Sequence, residues 1–323
     1  MSGTAYLYTV DQCDVGESAR KKVAAYRVFR DACLDMIRGD SDTSIANQVH
    51  DLAWHTAVFR TLNEARRIDD KRDVNGPMWE LVVAGYATIM TLGIRKLVDR
   101  DRNTDSVWNL IDRIEKRPEL LTRELYICHD ALPYDYEAVR EKLKPTSFVP
   151  PGTVRWVKNF GPNAWSTSQR LHEAFDALCG NPEKRKRADS IDLAYFEALR
   201  DALRSPCIVR VQALASRRMA HAERLSERSN AVPVVTYEDV DEALKIIVAV
   251  TNWVSTRVFL DSAFGSVVAI PQFDPIEHLD KPWVTQQHLP ALERHWRELT
   301  TAMDSWPDAD PFAVSELSSD AKE

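Results

Sequence analysis

The sequence predicts an all-α protein, a multi-helix bundle with irregular loops and an acidic, disordered C-terminal tail. Apolar residues recur at steps of three and four through most of the chain, which is the period of an amphipathic helix. The 323 residues include only 10 glycines and 16 prolines, few for an all-β protein that needs many tight turns. Capping residues and breakers also separate the periodic segments as they do in helical proteins.

The N-terminal half, residues 1–144, contains several predicted helices. The first two cover 17–38 and about 42–69. The third, about 77–100, is apolar nearly all round, which predicts a central position, and Gly85 and Gly93 would let a neighbouring helix approach closely. A shorter helix follows a cap at Thr104 or Asp105, Pro118 opens the next helical turn, and the last helix of this half covers about 135–144.

Residues 145–162 are rich in proline and glycine and are interpreted as a linker to a C-terminal half, residues 163–306. Helices are predicted there at about 163–179 and 190–204, from Ser205-Pro206 to about Ser229, and from a capping arrangement of Thr236 and Asp239. A final helix ends near residue 306, and the acidic tail 307–323 is predicted to be disordered. We expect the two halves to form one compact unit.

Composition excludes several classes of protein. Lys and Arg number 42 against 49 Asp and Glu, a formal charge of −7, which argues against a general nucleic-acid coat but leaves room for a local basic site. Five cysteines occur singly, so neither a disulfide framework nor a zinc knuckle is indicated. The N-terminus lacks a signal peptide, and the longest uncharged run, 81–94, is shorter than the ~20 residues of a membrane span. These features predict a soluble cytoplasmic protein without a membrane partner.

Several histidines and basic residues are weak site candidates. His50 and His55 on the second helix are interpreted as structural. His129 is expected at a surface turn, where it ends a helix as a partner of the helix dipole. The basic run Lys184–Arg187 is interpreted as a solvated loop. The common phosphate-loop, serine-hydrolase, zinc-protease and dinucleotide motifs are absent.

The most suggestive pattern surrounds His221. A helix advances 100° per residue, so Arg217 lies about 40° from His221, Arg224 about 60°, and Arg210 and Arg228 about 20° each. These five residues share one face, which we call the arginine stripe, and Arg218 lies about 60° to its other side. Neighbouring cations disfavour protonation of the imidazole, and a neutral imidazole can act as a general base toward a ribose hydroxyl. A solvated face, or a face ion-paired within the fold, would give the same pattern.

The segments 94–126 and 216–225 (SRRMAHAERL) resemble the AbiU2-like branch of the HEPN helical superfamily, and the resemblance extends loosely from about residue 50 to 306, including 266–283. It implies a HEPN-like helical bundle, often a homodimer, and a metal-independent ribonuclease of toxin or phage-defence systems that requires no cofactor. On this basis His221, Arg217 and Arg218 would be catalytic, while Arg210, Arg224 and Arg228 would hold RNA phosphates. An antitoxin or another protein partner would fit the same setting.

The family signature is an arginine, four to six residues, and a histidine. Arg217 leaves three residues before His221, Arg218 leaves two, and the signature positions hold Leu214, Ala215 and Ser216. The alternative is therefore a non-catalytic helical dimer that binds an acidic protein partner or a nucleotide through the arginine stripe.

Overall fold

The structure is a computed structural model that describes residues 6–69, 75–144, 158–180, 182–216, 234–268, 270–281 and 284–304. Eleven α-helices lie within these ranges, which confirms the all-α prediction. The described residues contain one isolated antiparallel bridge, Thr122 to Ser190, and no extended strand. The helices are α1 (Arg20–Arg38), α2 (Ile45–Ile68), α3 (Gly76–Leu97), α4 (Val107–Glu115), α5 (Arg123–Cys128), α6 (Tyr136–Leu143), α7 (Trp165–Leu178), α8 (Ala194–Leu203), α9 (Pro206–Leu214), α10 (Tyr237–Trp253) and α11 (Leu289–Asp304).

The chain divides into two compact units, Met1–Ile270 and Pro271–Glu323. Helices α1 to α10 belong to the first unit, in which helices from both sides of residues 145–162 pack together: α3 against α9, and α2 against α10. The second unit contains α11, none of whose residues is buried. Apolar residues of α11 recur at the heptad spacing of one face, and all are exposed: Leu289, Leu292, Trp296, Leu299 and Met303.

The central helix of the first unit is α10, which contacts α2, α3, α8 and α9. The prediction of a central α3 is wrong. Its buried residues, among them Tyr86, Met90 and Ile94, lie on one side, while Leu81 and Ile89 on the other side are 66% and 41% exposed. An apolar composition shows that a helix can be buried, but the number of neighbouring helices decides how much of its surface is covered.

By length and composition alone, α3 could also cross a membrane. Its most apolar window of 18 residues has a mean hydropathy of 1.3, and 22% of that window is buried within the fold. A core helix of a soluble protein can meet the same criteria.

Most predicted helix ends are close to the observed ones. Thr236 Oγ1 accepts a hydrogen bond from Asp239 N at 3.2 Å, and Asp239 Oδ2 accepts one from Thr236 N at 3.1 Å, which confirms the capping arrangement of α10. Helix α4 is capped by Ser106 rather than by Thr104 or Asp105, because the Ser106 hydroxyl accepts the hydrogen bond from Asn109 N. Ser205 precedes α9 without a capping hydrogen bond.

A buried arginine joins α5 to α7 and to the connection between α7 and α8. The side chain of Arg123 is 0% exposed, and its guanidinium lies 2.8 Å from Asp176 and 3.1 Å from Asp189. It also donates to the carbonyl oxygen of His172 at 3.1 Å and contacts Cys179 Sγ at 3.1 Å. A buried charge requires this degree of pairing, since an uncompensated ion loses its hydration without replacement.

We predict that Arg123→Met lowers the free energy of unfolding by about 3–5 kcal/mol, because it leaves Asp189 without its cation and Asp176 with Arg185 alone. Urea denaturation monitored by circular dichroism would measure the change. The matched control is Arg67→Met, which breaks the exposed pair with Glu64 and should change stability little. Equal effects in the two variants would contradict a special role for Arg123.

The two glycines of α3 occupy different environments. A Cβ added at Gly93 would lie 2.5 Å from Leu52 Cδ2, whereas a Cβ at Gly85 would meet no atom within 4 Å. The predicted close approach of a neighbouring helix is therefore confirmed at Gly93 and wrong at Gly85. Since Leu52 is buried in the α2–α3 contact, it has little room to move.

Alanine substitutions at these two positions should have different effects. Gly85→Ala should raise the free energy of unfolding by about 1 kcal/mol, the ordinary gain in helix propensity. In Gly93→Ala the same gain should be offset by a steric penalty of about 1–3 kcal/mol, because the added methyl group overlaps Leu52. Thermal unfolding of both variants tests the difference, and a Gly93 variant as stable as the Gly85 variant would contradict it.

Candidate nucleic-acid interface at the end of α9

The arginine stripe lies mostly beyond the part of the chain that the structure describes. Arg217, Arg218, His221, Arg224 and Arg228 fall within 217–233, outside the described residues. The predicted helix from Ser205-Pro206 to about Ser229 is observed over Pro206–Leu214. Arg210, in α9, is the one residue of the arginine stripe that lies within the described residues.

Arg210 forms an ion pair with Asp239 in the first turn of α10. Its Nε donates to Asp239 Oδ2 at 3.2 Å, and its Nη2 pairs with Asp239 Oδ1. The hydrogen bonds from Arg210 lower the pKa of the Asp239 carboxyl. A phosphate bound at Arg210 would therefore compete with Asp239 for the guanidinium.

The Arg210–Asp239 pair joins the middle of α9 to the N-terminal end of α10. An aromatic stack lies at the same end of α10. The rings of Phe59 and Tyr86 are parallel with centroids 3.9 Å apart, and Tyr237 lies 5.3 Å from Phe59. Phe59 and Tyr86 are buried, whereas Tyr237 is half-buried.

Two arginines cover the partly exposed aromatic rings. Arg60 lies 5.1 Å from the ring centroid of Tyr237 and pairs with Asp241 at 2.5 Å. Arg66 lies 4.3 Å from the ring centroid of Trp79, and no ion pair joins it to another described residue. We call Arg60, Arg66, Trp79, Arg210 and Tyr237 the basic–aromatic cluster. Arginines next to accessible aromatic rings can hold phosphates and stack on bases.

Sequence patterns gave no indication of this cluster, because its members come from α2, α3, α9 and α10. Aromatic and basic residues at helix ends are common. The packing of α2 and α3 against α10 places four of these residues around the Phe59–Tyr86 stack, and the pair with Asp239 places Arg210 at the same end of α10. Of the arginine stripe, the described residue Arg210 lies at this end of α10 through its pair with Asp239.

The other sequence candidates have structural contacts. His50 Nδ1 lies 2.9 Å from the carbonyl oxygen of Val267, in agreement with a structural role, and His55 is exposed. The basic run Lys184–Arg187 is not simply solvated. Arg185 pairs with Asp176 at 2.6 Å, and Arg187 pairs with Glu124 at 2.8 Å.

His129 ends α5 as predicted, but it is buried rather than at a surface turn. Its Nδ1 lies 3.0 Å from Tyr126 O and 3.2 Å from Leu125 O, so this nitrogen carries the proton. Burial, together with the positive charge of Arg30, lowers the pKa of His129 to about 4. Burial likewise lowers the pKa of His172 to about 4. Both rings are therefore neutral near pH 7.

Searches with known family models, among curated proteins and among solved structures found no match to this chain.

The two buried histidines predict a pH dependence of stability. Each has a pKa of about 4 when folded and about 6.5 when unfolded. Between these values the unfolded chain binds the protons, so their contribution is fully present above pH 6.5 and is lost as the pH falls toward 4. We expect the free energy of unfolding to fall from pH 7 to pH 5. The slope should approach the value for about two protons taken up on unfolding, one by each histidine. Urea denaturation across this range measures it, and a constant value would contradict it.

Proposed function

We propose that the chain is a HEPN-like cytoplasmic protein that cleaves RNA without a metal ion, as part of a toxin or phage-defence system. The observation that carries the proposal is the arginine stripe around His221, together with the resemblance of its surroundings to that family. The all-α bundle agrees with the expected architecture. The described end of the stripe, Arg210, also lies at the basic–aromatic cluster.

In this proposal His221 removes the proton from a ribose 2′-hydroxyl or protonates the departing 5′-oxygen. Arg217 and Arg218 stabilise the negative charge that develops on the phosphorane, which is the stage at which positive groups lower the barrier. Arg224 and Arg228 hold the flanking phosphates. The products are a 2′,3′-cyclic phosphate and a 5′-hydroxyl, and the reaction requires neither metal nor cofactor.

The basic–aromatic cluster gives such an enzyme a means of holding a single strand. Trp79 and Tyr237 are partly exposed, and unstacked bases bind to rings of this kind. Arg66 has a guanidinium without an acidic partner among the described residues. A homodimer would bring two stripes together and complete the site, and an antitoxin could bind over it.

A non-catalytic function is the second candidate, and one contact favours it. Arg210 already holds a carboxylate of its own chain, Asp239. The same stripe could hold acidic side chains of a protein partner or the phosphates of a nucleotide without cleaving anything. The departure of the Arg–His spacing from the family signature also favours this candidate.

We predict that the purified protein cleaves total RNA or tRNA in the presence of EDTA and that His221→Ala abolishes the cleavage. Loss of the base or acid that moves the proton should lower the rate by about 10²–10⁴-fold. Gel electrophoresis measures the rate, and analysis of the RNA ends identifies the cyclic phosphate. His295→Ala, which removes an exposed histidine of α11, is the matched control and should be as active as the wild type.

Equal RNA loss in the wild type and the His221 variant, or loss in neither, would exclude the nuclease. Retained RNA binding without cleavage would then support the non-catalytic candidate. Light scattering would test the dimer separately, since a monomer could not share a site between two chains.

A further inference from the structure

A cleft of the first unit, lined by none of the residues of the basic–aromatic cluster, is a second candidate site. The cleft has a volume of about 650 Å³, within the range of small-molecule sites. It lies between α1, the end of α5, the beginning of α7 and the segment after α10, and we call it the α7 cleft. Its charged and polar lining includes Arg30, His129, Asp130, Thr167, Arg170 and Asp261.

His129 presents an unprotonated nitrogen to a ligand. Its Nδ1 donates to backbone carbonyl oxygens of α5, and the ring is neutral. The other nitrogen, Nε2, is therefore a hydrogen-bond acceptor, and it has no hydrogen-bond partner among the described residues. Since His129 is one of the residues that line the cleft, Nε2 is suited to accept a hydrogen bond from a hydroxyl or N–H group of a ligand.

The backbone is strained on two sides of the cleft. Ala131 has φ 61° and lies between the lining residues Asp130 and Leu132, while Leu260, itself a lining residue, has φ 55°. Side chains other than glycine rarely adopt this left-handed conformation. Leu260 also follows a π-helical turn, Val254–Val258. Strain and π turns of this kind are concentrated at functional sites.

Both carboxylates of the cleft are already paired with arginines. Asp261 lies 2.6 Å from Arg38 and 3.7 Å from Arg30, and Asp130 lies 3.8 Å from Arg27. Arg30 also donates two hydrogen bonds to the carbonyl oxygen of Phe259. These groups therefore shape the cleft and can accept hydrogen bonds from a ligand, but they leave no unpaired negative charge for a cation.

Arg170 supplies a positive charge in the cleft that no carboxylate of the described residues neutralises. This residue is exposed on α7, and no ion pair joins it to another described residue. Arg170 is the sixth residue of α7 and lies one turn beyond Thr167, which belongs to the first turn; the N-cap, Ala164, offers no side-chain acceptor. A guanidinium one turn from the uncapped N-terminal turn of a 14-residue helix favours an anion.

The geometry points to the α7 cleft as a binding site for a small phosphate monoester that carries hydroxyl groups. The phosphate binds Arg170 and the first turn of α7. The hydroxyl groups donate to His129 Nε2 and to the carboxylates of Asp130 and Asp261. Apolar side chains of Leu132, Phe160 and Leu171 cover the carbon atoms of the ligand. This site is independent of the arginine stripe and of RNA cleavage.

Isothermal titration calorimetry of the full chain with ribose 5-phosphate tests the assignment. We expect saturable binding that is about tenfold weaker or more in Arg170→Gln, because the charge-assisted hydrogen bonds to the phosphate are lost. Arg170→Lys should retain part of the affinity. Arg294→Gln, which removes the same charge from the exposed surface of α11, is the matched control and should bind as the wild type does.

Ribose, inorganic phosphate and gluconate are the comparison probes. Weaker binding of ribose and of inorganic phosphate supports a site that requires both parts of the ligand. Tighter binding of gluconate would overturn the phosphate assignment in favour of a carboxylate. Absence of binding by ribose 5-phosphate at millimolar concentration, or equal binding by the wild type and Arg170→Gln, would overturn the site. Arg170 is exposed, so the variant should fold, and its thermal unfolding midpoint checks this.

Discussion

The first unit depends on the burial of one positive charge. Arg123 is fully buried at the start of α5, and it meets carboxylates from α7 and from the connection that follows α7. Removal of an ion from water costs several kcal/mol, so the site is stable only with both carboxylates, a carbonyl oxygen and correct geometry. The connection between α7 and α8 has no long regular element. The contacts of Arg123 and the backbone bridge between Thr122 and Ser190 together hold this connection in place.

Ion pairs within the fold also decide which arginines are available to bind a phosphate. Arg185 and Arg187, in the run of basic residues after α7, are held by Asp176 and Glu124, and Arg200 binds α8 to α4 through Asp112. An arginine held in this way is a poor ligand for RNA, because a phosphate must first displace the carboxylate. Arg66 and Arg170 differ, since each lies beside a feature that can bind a ligand, an aromatic ring or a cleft, without an acidic partner among the described residues.

The two proposed sites occupy different regions of the first unit and follow from different contacts. The basic–aromatic cluster lies at the N-terminal end of α10, and Arg210 joins α9 to this end through Asp239. The α7 cleft lies where α5 ends and α7 begins, and α7 holds its position through Asp176 and the buried Arg123. A ligand in the cleft would therefore contact the helix that the central ion pair positions.

The sequence alone predicted the helical class, most helix boundaries and the capping of α10 by Thr236 and Asp239, because these features depend on residues three or four positions apart. It also identified the arginine stripe, whose assignment to RNA cleavage stays a prediction. The packing of distant segments, by contrast, makes α10 rather than α3 the central helix, buries His129 and brings Arg123 to Asp189, 66 residues away. Periodicity shows which side of a helix is apolar, but contacts between distant segments decide what covers it, and the basic–aromatic cluster and the α7 cleft consist of such contacts.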